Sequence, residues 1–275
     1  MFHGDYNFFD YKYNIVGYNG QDYGSFPQYL YLIISVVLLV ILLFLLRKSS
    51  REKIKKIIRI MGIFLIVFYI SKTTWESIYD INYSGSFNTG LLPLDTCSLP
   101  MIAYILAGFT TKKTEDYSKS WMITGGIVGG FATMLFLNAF KYYPFLSFGA
   151  MYSMIWHFIM VFMGLLLIVT NYVDYNYKTL LKGFIFHILF SLIVIPLDYI
   201  FNWDFMMYKN MGSIPIFEDI GTKLNNASLG FLNPIIMMVL YFLAFNLIFF
   251  VIYGIKKLMI KLKKNHDIIN KKVEI

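Results

Sequence analysis

Charge and cysteine are what this chain has least of. Charged residues make up 15% of its 275 residues, where a soluble domain carries about 25%, so a water-soluble globule of ordinary composition is excluded. One cysteine, Cys97, excludes an intramolecular disulfide and leaves the redox compartment open. The first 26 residues are rich in Tyr, Asn and Asp and lack both a basic start and an apolar centre. No cleavable signal peptide is therefore expected, and the first apolar segment must act as its own signal. There is no internal repeat and no polar stretch long enough to fold as a separate domain. The net charge of +8 does not point to nucleic acid, because the basic residues sit in short segments beside apolar runs.

Apolar residues dominate instead: 58% of the chain, with a mean hydropathy of +0.60. Seven segments have the length needed to cross about 30 Å of hydrocarbon, near 27–47, 57–80, 91–110, 120–139, 147–170, 180–200 and 230–254. Lys72, Glu76, Asp95 and Pro100 interrupt the second and third. The 22 Tyr and 27 Phe suit aromatic belts at the two interfaces. The expectation is an all-α membrane protein, a seven-transmembrane helical bundle spanning 27–254. It is flanked by an extracytoplasmic segment 1–26 and a basic tail 255–275.

Orientation follows from lysine and arginine. The first, third and fifth connections and the tail hold 19 of the 24, while Lys12, Lys72, Lys141, Lys209 and Lys223 lie on the other side. The tail is thus expected in the cytoplasm and the N-terminus outside, in a multi-pass protein of the plasma membrane. Anionic lipid headgroups are the expected partners of the basic tail and first loop. The connection 201–229 is too polar for another span and reads as an ordered outer loop able to cap the bundle.

The topology gathers polar residues in the outer half: Trp75, Glu76 and Asp80 on span two, Asp95 and Cys97 on span three, Trp156 and His157 on span five, and Asp198 and Asn202 at the end of span six. Ionisable groups at such depth are expensive unless buried and used. Cys97 lies about six residues, or roughly 9 Å, below the start of its span and His157 about ten, or roughly 15 Å. With about two to four residues of play at each boundary the two reach one level. A thiol and an imidazole at one depth are the minimum for a nucleophile–base pair, in which the imidazole removes the thiol proton and later protonates the leaving group. A carboxylate on the far imidazole nitrogen would fix the tautomer; Asp198, Asp95 and Glu76 are all candidates. His187 aligns with no other polar group and reads as structural. Gly125, Gly126, Gly129 and Gly130 read as a close-packing surface. No metal or cofactor is implied.

The stretch Leu92-Pro93-Leu94-Asp95-Thr96-Cys97-Ser98-Leu99 resembles the Leu-Pro-Leu-His-x-Cys-x-Leu opening of span three in the YwaF-type integral membrane proteins of bacteria. Glu76, the Gly-rich start of span four, His157, the segment Asn202–Tyr208 and Asn233-Pro234 extend the likeness over about residues 30 to 255. That family is distantly similar to a eukaryotic polytopic acyltransferase family with a membrane-embedded cysteine and histidine. The resemblance implies a Cys97 acyl-enzyme with His157 as base; Asp95, Glu76, Asp198, Asn202 and Trp75, from the same outer-half set, are the candidates for supporting the pair. Asp95 departs from the pattern's histidine: either it serves as a carboxylate partner, or the activity is altered or lost. The function expected is transfer or hydrolysis of phospholipid acyl chains. The alternative is a small-solute or cation transporter with a polar outer-half cavity.

Overall fold

The computed structural model describes residues 7–10, 25–136, 143–144, 146–211 and 215–273. Most of the expected N-terminal segment, with Lys12, and Lys141 of the outer charge set lie outside the described residues. All regular structure among those described is helical.

Helix α1 (Phe26–Leu46) begins at a proline, whose missing N–H is harmless in a first turn. Only Pro27, Gln28, Tyr31 and Ser35 are buried. Its aliphatic residues point outward, as lipid solvates them. The polar handful ties it to the bundle: Tyr31 donates to the Met154 carbonyl (2.7 Å) and Gln28 to the Leu135 carbonyl (2.8 Å).

Ser50 caps α2 (Arg51–Ser84) by accepting from the Lys53 amide, and Gly85 ends it in the left-handed region at φ 73°. This helix packs most extensively on α3 (Leu99–Phe109). The contact is close because Gly62 faces the Tyr104–Ile105 backbone and Gly108 faces that of Arg59, where a Cβ would stand 3.2 Å from the facing backbone in each case.

The chain enters α3 through two 3₁₀ turns, Thr89–Leu91 and Thr96–Ser98, and not as a straight helix. Pro93 and Pro100 lack donors and restrict the residues before them, so the approach to α3 is irregular. Cys97 consequently stands on a 3₁₀ turn at the mouth of a short helix.

Helix α4 (Lys112–Trp121) continues through a π turn, Met122–Gly126, into α5 (Ile127–Phe136). Helix α6 (Phe148–Val169) is the most buried apolar helix, with α1, α2 and α5 packed around it. Helix α7 (Tyr177–Phe201) is capped by Asn176 and carries Pro196 internally.

The connection expected as an outer loop holds a 3₁₀ turn (Phe205–Met207) and helix α8 (Pro215–Asn226). Helix α9 (Asn233–Val273) runs on through most of the expected tail, which is thus a continuation of the last apolar helix. Among the described residues, five stretches are long and apolar enough to cross a membrane: Phe26–Leu46, Thr89–Phe109, Phe148–Val169, Tyr177–Phe201 and Gly230–Leu258. In α2, Arg59 and Lys72 bracket an apolar centre of only 12 residues. The α4–α5 unit is polar through its first helix.

Candidate functional site

Cys97 and His157 meet. The thiol sulfur lies 3.5 Å from His157 Nε2. The other ring nitrogen, Nδ1, lies 2.7 Å from the Ser153 carbonyl one turn earlier on α6. A carbonyl only accepts, so Nδ1 carries the proton and Nε2 presents a lone pair to the thiol. The geometry arises from helix direction: side chains lean toward the N-terminus, which brings a histidine ring back over the carbonyl at i−4.

Three further features surround the pair. Trp156 donates from Nε1 to the Cys97 carbonyl (2.7 Å), pinning the 3₁₀ turn to α6. The Thr133 hydroxyl approaches the thiol from α5. Gly130 lies so close to α6 that a Cβ there would stand 2.9 Å from the His157 carbonyl. The Gly-rich stretch therefore lets α5 approach the helix that carries His157.

A cavity of about 120 Å³ opens beside the pair, lined by Tyr69, Lys72, Asp95, Cys97, Tyr152 and His157 among others. Gly90, Leu91 and Leu92 complete one wall, and Tyr69 donates to the Leu91 carbonyl. The Tyr152 hydroxyl has no hydrogen-bond partner among the described residues.

The residues expected to support the pair separate into three places. Asp95 lines the cavity but does not bond His157; its Oδ1 accepts from the Met206 amide (3.3 Å). Glu76 lies behind the cavity, where Lys72 pairs with it ionically and Tyr143 donates to its other oxygen. Trp75 donates to the Phe9 carbonyl (2.9 Å) and packs on Phe148, so it holds the segment 7–10. Asp198 accepts from the Phe205 amide (2.9 Å), and Asn202 ends α7 in an exposed left-handed turn. None of the three candidate carboxylates takes the far imidazole nitrogen. The Ser153 backbone does, because it is already in register on the same helix.

The structure adds residues that the pattern of the chain conceals. Met206 is held from both sides, its amide by Asp95 and its carbonyl by Tyr241 (3.2 Å). Tyr241 also accepts from Thr96 (3.1 Å), next to Cys97. Met206 and Met207 adopt φ of 54° and 60°, a region costing roughly 1 kcal/mol or more for residues with a side chain, so these bonds hold the segment in place. Asp204 helps by accepting from the Lys209 and Asn210 amides. His187, expected to stand alone, is linked through the Tyr208 hydroxyl (3.4 Å) to Ser191 and packs against Tyr241, with ring centroids 4.5 Å apart and the planes inclined at 56°. Ser191, one turn after His187 on α7, shares its face and donates to its carbonyl (2.8 Å), but Tyr208 carries no spacing signal, so only the packing of residues 205–208 against α7 reveals the group.

Among the described residues no group of three or more His, Cys, Asp or Glu is placed to hold a metal ion. The arrangement aims an imidazole lone pair at a thiol, in a small polar cavity within an apolar bundle.

The family model for the TMEM164 family, a transmembrane family, matches residues 23–255. No curated protein and no solved structure matches the chain. The chain belongs to the TMEM164 family.

Proposed function

We propose that this TMEM164-family chain is a membrane-embedded acyl-transfer enzyme acting on phospholipid acyl esters, with Cys97 as nucleophile and His157 as base. The observation that carries the reading is the 3.5 Å approach of His157 Nε2 to Cys97 Sγ, with Nδ1 already committed to the Ser153 carbonyl. In the first half-reaction Nε2 takes the thiol proton and the thiolate attacks the ester carbonyl carbon. The C–O bond breaks, the acyl group stays on sulfur as a thioester, and the leaving alkoxide takes the proton from Nε2. In the second half-reaction Nε2 deprotonates a lysolipid hydroxyl or water, which attacks the thioester and frees the thiol. Tyr152 lines the same cavity, and its hydroxyl is the proposed donor to the oxyanion.

At about 120 Å³ the cavity admits the ester group and not a whole lipid. The acyl chains are then left to the bilayer. The likeness of Leu92–Leu99 to the YwaF-type opening of span three supports the same assignment. In this reading the seven helical passages all span the plasma membrane, with the basic end cytoplasmic and the Cys–His cavity facing the outer leaflet. The solute-transport alternative places Glu76, Asp95, Asp198 and His157 around one cavity, whereas Asp198 is engaged with Phe205 and Glu76 with Lys72 and Tyr143.

The test is acyl-chain composition and lysolipid turnover in cells carrying wild type or Cys97→Ala, with intact-mass detection of an acyl adduct on Cys97. The expected result is an adduct on wild type alone and a changed lipid profile in the variant. Identical profiles from equally abundant proteins, with no adduct, overturn the reading.

A further inference from the structure

A second cavity among the described residues, about 330 Å³, is remote from the cysteine. It lies where the start of α2, the first helix of the α4–α5 unit and the start of α7 come together, lined by Arg51, Asp116, Lys119, Tyr172, Lys178 and Lys182. Asp174 completes the charged lining, so four cations face two carboxylates. Lys182 pairs with Asp116, and Lys119 shares Glu115 with Lys55, at 3.2 and 2.8 Å. The other two cations have no carboxylate partner among the described residues. Arg51 donates only to the carbonyls of Tyr172 (3.1 Å) and Asn171 (3.5 Å), leaving donors of its guanidinium to spare. Lys178 lines the cavity from the first turn of α7 and forms no ion pair.

Tyr172 gives this cavity a built character. Its ring is buried, with the Arg51 guanidinium 4.7 Å and the Lys119 ammonium 5.2 Å from its centroid. Two like charges held on one ring repel each other, and the cation–π attraction holds the Arg51 fork and the Lys119 ammonium at the cavity wall. The lining carries a net charge of two positive units, and a planar guanidinium beside ammonium groups suits tetrahedral phosphate oxygens.

The location is equally specific. Arg51 and Lys72 are 21 residues apart on one continuous helix, or roughly 30 Å at 1.5 Å per residue. That is about the thickness of the hydrocarbon. The basic cavity thus lies one membrane thickness from the cavity of Cys97, at the level of headgroups in the opposite leaflet.

We infer that this basic cavity is a binding site for a phosphate monoester, whose dianion matches the net charge of two positive units in the lining. Such a group reaches the site either as the headgroup of a lipid or on a soluble molecule. The inference does not depend on the chemistry at Cys97, and Cys97→Ala is expected to bind as wild type does.

The test uses the full chain in phosphatidylcholine nanodiscs, with binding read by thermal shift and native mass spectrometry. Phosphatidic acid is incorporated in one arm and phosphatidylglycerol, a phosphodiester of lower charge, in a second. Glycerol phosphate is added in solution in a third. Arg51→Gln/Lys178→Gln is compared with Lys56→Gln/Lys257→Gln, which removes equal charge from the same end outside the cavity. The expected result is preference for a monoester and weakening by at least about tenfold in the first double variant alone. Binding of phosphatidic acid only identifies a lipid ligand, and equal binding of glycerol phosphate identifies a soluble one. Equal binding of phosphatidylglycerol, or equal loss in both double variants, overturns the inference. Should the first double variant fail to fold, Lys178→Gln, a single change in the first turn of α7, must still weaken monoester binding several-fold relative to Lys56→Gln.

Discussion

His157 gives its Nδ1 proton to the carbonyl of Ser153, 2.7 Å away, and to no carboxylate. The tautomer that aims a lone pair at Cys97 is therefore set by the backbone of α6 itself. A side chain can be mutated away, but this acceptor cannot. The consequence is that the base stays oriented whenever α6 is folded, and losses on mutation should fall on the pair and not on a third member.

His157→Gln and Cys97→Ala are each expected to lower acyl transfer by about 10²–10⁴-fold, and the double variant no further. The two groups act in one proton transfer, so their effects do not add. Initial rates with an acyl-ester probe on purified proteins check this. A double variant markedly worse than both singles would separate the two residues.

Asp198→Leu should leave the rate per folded molecule within a few-fold while lowering thermal stability. Asp198 serves the Phe205 amide and not His157, so its removal strands a buried donor at a cost of about 1–3 kcal/mol. Asp198→Asn keeps an acceptor oxygen and should cost less. Melting curves beside rates distinguish this from a catalytic carboxylate, which would show the reverse.

Tyr241→Phe removes the hydroxyl that accepts from Thr96 and donates to the Met206 carbonyl. The direct cost is about 1 kcal/mol. The functional effect should be a lower kcat at nearly unchanged KM, since the loosened element is the 3₁₀ turn holding the nucleophile. Steady-state kinetics on Tyr241→Phe decides it; a pure rise in KM would place Tyr241 in substrate binding.

Gly130→Ala should be more harmful than Gly129→Ala. At 130 a Cβ meets Val161 Cγ2 at 2.7 Å and the His157 carbonyl at 2.9 Å, and backbone cannot yield cheaply. At 129 it meets only the flexible tip of Met160, at 3.0 Å. Overpacking of this kind costs about 1–3 kcal/mol and pushes the base's helix away from Cys97. Both melting temperature and acyl transfer should fall for Gly130→Ala, with Gly129→Ala near wild type.

At the basic end, burial pushes the Glu115 carboxyl up, but hydrogen bonds from Lys55 and Lys119 outweigh it and hold the group below the usual carboxylate range. A depressed carboxyl stabilises the fold above its unfolded pKa of about 4.3, and that stabilisation is lost as pH falls through the lower folded value. Glu115→Gln should thus be less stable than wild type at neutral pH and converge with it in acid. Parallel melting curves across pH measure the gap; a constant gap would mean that charge is not the cause.

Composition and hydrophobic period determined that this chain is a helical membrane protein, because apolar runs of this length leave the backbone only its own hydrogen bonds to make. The Cys97 and His157 candidates were legible too, since a thiol and an imidazole stand out among residues that lipid tolerates. Only the tertiary structure decided what surrounds them. Pro93 and Pro100 marked a disturbed helix start, but not that Cys97 would sit on a 3₁₀ turn pinned by Trp156. The partner of His157 proved to be a backbone carbonyl, and a residue-type pattern does not register an atom that every residue has. Tyr241 reaches Thr96 across 145 positions, and Arg51, Lys119 and Lys178 share a cavity from three separate helices. Such neighbours are set by helix packing, which follows the shapes of whole faces and leaves no trace in local spacing.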